Sequence, residues 1–128
     1  MNKLTSEWVE KAENDFHSAD LLLHGGEAPF VDTGCFHCQQ SAEKYVKAYL
    51  QEHRVRFERT HVLAALLDLC VARDGDFRNI ASDLDSLEGY AVAIRYPGSV
   101  VPVELAEQAF GAASRVRDFV RRKLRLKK

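Results

Sequence analysis

Residues 35–50, CFHCQQSAEKYVKAYL, contain neither glycine nor proline and repeat their apolar side chains in steps of three and four. Cys35, Cys38, Ala42, Tyr45, Val46, Tyr49 and Leu50 make one wide stripe, which is the period of an amphipathic helix. No alternation in steps of two, the mark of a half-buried strand, runs for any length in the chain. A long helix with a wide apolar face has to be covered by other helices. The opposite row holds Gln40, Lys44, Lys47 and Gln51. Two lysines and two amides in one row are either a solvated face or a surface that holds a phosphate or a partner.

The covering helices are legible on both sides. Residues 6–24 place Trp8, Ala12, Ala19, Leu22 and Leu23 inward, with Thr5 or Ser6 as cap. Asp15 falls on that stripe, so it either meets a cation or donors on a neighbouring helix or sits on a flank that reaches solvent. Gly25 and Gly26 end the helix. The second helix opens at Asp32 or Thr33 and reaches residue 53 or 54. A third, over 61–72, starts at Thr60 and turns Leu63, Leu66, Leu67 and Cys70 inward. A fourth, over 77–93, is capped by Asp76 and buries Phe77, Ile80, Ala81, Leu84, Leu87 and Ala91. Arg95-Tyr96-Pro97-Gly98 cannot continue a helix. The last helix, 103–125, follows Pro102 and faces inward through Leu105, Ala109, Ala112, Val116, Phe119, Val120 and Leu124. Five helices joined by short loops predict an all-α, up-and-down helical bundle, with residues 1–128 as a single domain.

Bulk properties exclude several classes. Apolar residues make up 46% and charged residues 29%, as in an ordinary globular protein. No apolar run approaches the roughly 20 residues that span a bilayer. The first residues, MNKLTSE, lack the apolar centre of a signal peptide. Three cysteines in no framework point to a reducing, cytoplasmic setting. Net charge is −1, but eight basic residues against Asp118 alone lie between 114 and 128. Seven acidic residues against Arg78 and Arg95 lie between 74 and 107. The basic tail is either a solvated helix end, where cations suit the helix dipole, or a nucleic-acid contact.

Motifs with built-in chemistry are scarce. Cys35-x-x-Cys38 lacks the strand and βαβ setting of a redox motif, and Cys70 is a lone further zinc candidate, so all three read as buried structural cysteines. His17, His24 and His53 have no partner pattern, and His61 reads as a residue that orients a connector or packs. There is no phosphate-cradling glycine loop and no nucleophile elbow. Arg95 is the most informative single charge. It is either one half of an ion pair with Asp15 or Glu43, or a fork of donors for a ligand.

Four segments in order resemble the HEPN-domain family: Trp8 with Lys11-Ala12-Glu13 and Asp15; residues 35–44 with Lys47-Ala48-Tyr49-Leu50; Thr60-His61 with Leu66-Leu67; and Arg95-Tyr96-Pro97. The resemblance implies a helical bundle that dimerises and acts with a minimal nucleotidyltransferase, often as a toxin–antitoxin pair. Nucleotide binding is proposed for the group most like this chain. Catalytic members are metal-independent ribonucleases carrying an arginine followed, after four to six residues, by a histidine. Arg95 matches the arginine, but Val100, Val101 and Pro102 stand where the histidine belongs, and no histidine follows His61.

The expectation is therefore a non-catalytic HEPN protein, with no metal and no cofactor. It pairs with a nucleotidyltransferase and binds nucleotide through Gln40, Lys44, Lys47, Arg95 and Tyr96. Two alternatives stand beside it. One is a ribonuclease that uses His37 or His61 in place of the missing group. The other is an interaction module whose basic tail meets RNA or an acidic protein. The apolar coverage of helix 2, including Phe36, Tyr45 and Tyr49, exceeds what one small bundle needs and suggests a homodimer.

Overall fold

The second helix is surrounded rather than laid on one side of a core. A computed structural model describes residues 1–93, 97–98 and 101–127, with only the backbone of residues 92 and 93. Arg95 and Tyr96 lie outside the described residues. Helix α1 is Lys3–His24, α2 is Val31–Glu52, α3 is Leu63–Arg73, α4 is Ala81–Ala93 and α5 is Val103–Lys123. A 3-10 turn, Gly75–Ile80, leads into α4. There is no strand among the described residues, and the architecture is an all-α bundle. α2 packs against α1, α3, α4 and α5, and thirteen of its 22 residues are buried. This corrects the two-faced reading of that helix. Lys47, expected on an open row that is either solvated or holds a phosphate or a partner, is buried together with Gln39 and Glu43.

The helix starts differ from the sequence reading, each for a local reason. α1 is capped by Asn2, whose side-chain oxygen accepts from both the Thr5 amide and the Thr5 hydroxyl at 2.8 Å. Thr5 is fully buried and serves the cap rather than being it. Thr60, three residues before α3, accepts from the Val62 amide, and the first amide of α3, on Leu63, reaches Glu88 of α4 at 3.4 Å. Asp74, not Asp76, opens the 3-10 turn by accepting from the Asp76 amide at 3.0 Å. Asp76 instead receives Lys123 at 2.7 Å.

Tyr45, Leu50, Leu63, Leu66, Phe77, Leu84, Leu87, Val116 and Val120 fill the core. The Tyr49 and Phe77 rings meet at a tilt with centroids 4.4 Å apart, and Phe77 meets Phe119 edge to face at 4.9 Å. Ala106, Ala109, Ala112 and Ala113 form a buried small-residue face on α5, which lets it lie close to α2. Tyr45 and Tyr49 are thus consumed inside the chain. Of the three residues that suggested a dimer face only Phe36, 45% exposed, remains outside. Burial pushes the Cys35, Cys38 and Cys70 thiols up to about 11, 12 and 12, as inert core cysteines require. Four cations of the basic tail are paired within the chain: Arg115 with Asp83, Arg117 and Arg121 with Glu13, and Lys123 with Asp74 and Asp76. No helix among the described residues is long and apolar enough to cross a membrane.

Leu23 of α1 packs directly on Gly34 of α2, where an added Cβ would lie 2.5 Å from Leu23 Cδ2 and 2.6 Å from its Cγ. Leu23 is itself buried and cannot swing away. Gly34→Ala should cost about 1–3 kcal/mol through overpacking, in spite of the roughly 1 kcal/mol that alanine adds to an exposed helix. Urea denaturation that shows a more stable variant would contradict this contact.

The far ends of α1 and α5 are tied by His24. Its Nδ1 lies 2.6 Å from Asp20 and its Nε2 2.6 Å from Glu107, with the ring edge on Phe110. A carboxylate on each nitrogen needs a proton on each, so the Asp20 bond first, then the Glu107 bond, raise the His24 pKa above 6.5. The folded state therefore favours the imidazolium. Its stabilisation is complete below pH 6.5 and fades as pH rises through the raised folded value. The excess Tm of the native protein over His24→Gln should shrink steadily between pH 6 and pH 9. A constant difference would remove His24 from the pH dependence.

Candidate functional site

Gln39, Glu43 and Lys47 stand one turn apart along α2 and carry a buried polar row through the packed side of the helix. Glu43 is 2% exposed. Its carboxylate accepts from Lys47 Nζ at 3.0 Å and from Gln39 Nε2 at 3.1 Å. It also lies 2.9 and 3.2 Å from His61 Nδ1. The Lys47 ammonium is 5.4 Å from the centroid of the Trp8 ring and 6.0 Å from that of Phe57. A buried carboxylate survives because cation and donors fill its lone pairs, and the lysine because it has that carboxylate and two ring faces. The result at the surface is a positioned imidazole. The His61 side chain is 73% exposed, yet its Nδ1 is held by a buried anion, which places a proton there and leaves Nε2 open.

Two further clusters bind α2 to its neighbours. Asp15 of α1 accepts from His37 Nδ1 at 2.7 Å and from Lys44 Nζ at 2.5 Å. Of the two expectations for Asp15, the buried carboxylate with a cation is the one realised. Glu13 takes a two-pronged bond from Arg117 at 2.7 Å on each side and another from the Tyr45 hydroxyl, and Arg121 reaches that hydroxyl at 3.2 Å. Burial pushes the Glu13 carboxyl up, but the Arg117 and Tyr45 bonds and the two guanidinium charges outweigh it and hold it below the ordinary range. Burial, then the bond to Glu13, pushes the Tyr45 phenol upward.

These pairings separate the residues expected to make one cationic row. Lys44 leans to α1 and Lys47 lies against aromatic rings, so neither lines the groove beside His61. Gln40 does. With Asp32, Thr33 and Phe36 of α2, it joins Gln39, His61 and Ala91 around a groove of about 470 Å³. A second hollow of about 370 Å³ shares Gln39, His61 and Ala91 and adds Arg59, Thr60, Val62 and Glu88. His61 stands between the two. Sequence reasoning missed the Glu43–His61 pair. The spacing of Gln39, Glu43 and Lys47 was visible, but which side of α2 would be covered was not. Among the described residues no group of histidine, cysteine or acidic side chains is placed to hold a metal.

A helical bundle organised around one polar-threaded central helix is the class that fold and site define. The HEPN domain model matches residues 5–123, and the chain belongs to the HEPN-domain family. Among solved structures, ST0689, an archaeal HEPN homologue, shares the fold with a TM-score of 0.68 at 22% identity, covering 96% of this chain and 98% of its own. TT1696 from Thermus thermophilus is similar with a TM-score of 0.73 at 25% identity, covering 96% of this chain and 99% of its own. Comparison with curated proteins returns no match.

Proposed function

We propose that this HEPN protein binds a nucleotide in the groove beside His61 and acts, without catalysis of its own, as the binding partner of a minimal nucleotidyltransferase. The observation that carries this reading is the groove itself. An exposed Phe36 ring, the Gln40 amide and an imidazole anchored by a buried carboxylate line one concave surface. Ligand sites combine an apolar wall with a few fixed polar groups in this way. Arg95 and Tyr96 follow Ala91 of the groove wall by four and five residues in sequence. They are assigned to the outer phosphates of a triphosphate, because a guanidinium fork matches phosphate oxygens. Lys44 and Lys47 act behind the surface, by holding α2 and the Glu43–His61 pair in place. A homodimer, with Phe36 near its rim, belongs to the same reading.

Calorimetry tests it directly. Nucleoside triphosphates should bind measurably, and Gln40→Ala and Arg95→Ala should each weaken binding. No heat with any of the four at millimolar concentration would end the proposal. Affinity purification from the native host should recover a nucleotidyltransferase. A single specific observation favours a second reading, ribonuclease activity with His61 in place of the motif histidine: its open Nε2 beside a carboxylate-bound Nδ1. Incubation with RNA decides between them.

A further inference from the structure

The two hollows on either side of His61 differ in chemistry. The larger is lined by Asp32, Thr33, Phe36 and Gln40, and no lysine or arginine lies among its described lining residues. The smaller contains Arg59 together with Glu88, whose carboxylate accepts from the Leu63 amide at 3.4 Å. Hydrogen bonds already made decide what the larger one still offers. Gln39 is committed at both ends of its amide: the nitrogen donates to Glu43, and the oxygen accepts from Gln40 Nε2 at 2.7 Å. The Gln40 oxygen, the Asp32 carboxylate and His61 Nε2 remain, all acceptors when the imidazole is neutral. The Thr33 hydroxyl serves either way. A phosphate has only acceptors and negative charge, so it is mismatched to this wall and repelled by Asp32. A flat ring with donors on its edge is matched, because Phe36 supplies a face to stack on.

We propose that the larger hollow is a nucleobase site that stacks a base on Phe36 and reads its donor edge with Asp32 and Gln40, favouring guanine, while the phosphate of the same nucleotide passes His61 to Arg59. This rests on the nucleotide-binding reading above and specifies its ligand. Guanine presents a ring N–H and an amino group side by side, spaced for the two oxygens of one carboxylate. Adenine and cytosine offer one amino group next to an acceptor nitrogen. Uracil offers a single N–H between two carbonyls, which meet the acceptors of the wall unfavourably. His61 stands where the sugar crosses between the hollows, with Nε2 free to accept from a ribose hydroxyl. Glu43 keeps that nitrogen from becoming the protonated one in the neutral ring.

The experiment is calorimetric titration of the full chain with GMP, UMP, guanosine and inorganic triphosphate. GMP should bind about tenfold or more tighter than UMP, since one good bidentate pair is worth that much discrimination. Asp32→Asn should remove the difference and leave UMP affinity unchanged. Phe36→Ala should weaken both nucleotides, and Arg59→Ala should weaken GMP but not guanosine. Asp32, Phe36 and Arg59 are exposed, and an unchanged circular dichroism melt shows that each variant is folded. Equal affinity for GMP and UMP would overturn the base site while leaving nucleotide binding intact. Inorganic triphosphate that binds as tightly as GMP, with no effect of Phe36→Ala, would do the same. No binding of any nucleotide would overturn both this inference and the function it rests on.

Discussion

Glu43→Ala should lower the unfolding free energy by about 3–5 kcal/mol, the usual cost of breaking a buried ion pair from one side. The carboxylate is almost wholly inaccessible and takes three partners. Without it the Lys47 ammonium, 7% exposed, keeps only the Trp8 and Phe57 rings. Those are worth a fraction of an ammonium's hydration. Glu43→Gln retains shape and hydrogen-bonding atoms but not charge, and should lose less, about 1–3 kcal/mol. Glu43→Leu combined with Lys47→Met should recover much of the loss, because two apolar groups of similar volume replace both charges. Urea denaturation of the four proteins measures this. A Glu43→Ala variant within about 0.5 kcal/mol of the native protein would place the row in water, not in the bundle. The same variant frees the imidazole of His61, so nucleotide binding should weaken even where the protein remains folded.

RNA incubated with the purified protein should remain intact. A metal-independent ribonuclease must deprotonate a 2′-hydroxyl and stabilise a pentacovalent phosphate. Arginine does the second and cannot do the first, because it stays protonated. The arginine is present as Arg95, but Val100, Val101 and Pro102 occupy the histidine positions of the family motif. Loss of a general acid–base group costs about 100- to 10,000-fold. Val101 is buried with the core, and Pro102 immediately precedes α5. A histidine introduced at 101 would therefore enter the core and destabilise the bundle before it could reach a substrate. Cleavage that disappears on Arg95→Ala or His61→Ala would establish the ribonuclease reading instead. Under that reading His61, with its Nδ1 held by Glu43, supplies the base.

What the sequence determined by itself is the set of local periods. Steps of three and four in five segments, broken by Gly25, Asp74-Gly75 and Pro97-Gly98, were enough for an all-α bundle, because helix formation answers to neighbours within a turn or two. The inward residues of helices 3 and 5 followed from the same rule. Tertiary packing decided the polar residues. A helical period says which side chains share a row, not how many rows are covered. A central helix touched by four others has more of them covered than a helix laid on one side of a core. For that reason Lys47 left the open row expected of it and Tyr45 and Tyr49 left the expected dimer face. The link between His61 and Glu43 spans eighteen residues and a turn that no local pattern encodes. Likewise Asp15 found its two partners, and His24 its second carboxylate, only because α1 lies where it does against α2 and α5. Charges far apart in sequence select partners by distance in the fold, and that distance is set by the packing of the apolar faces.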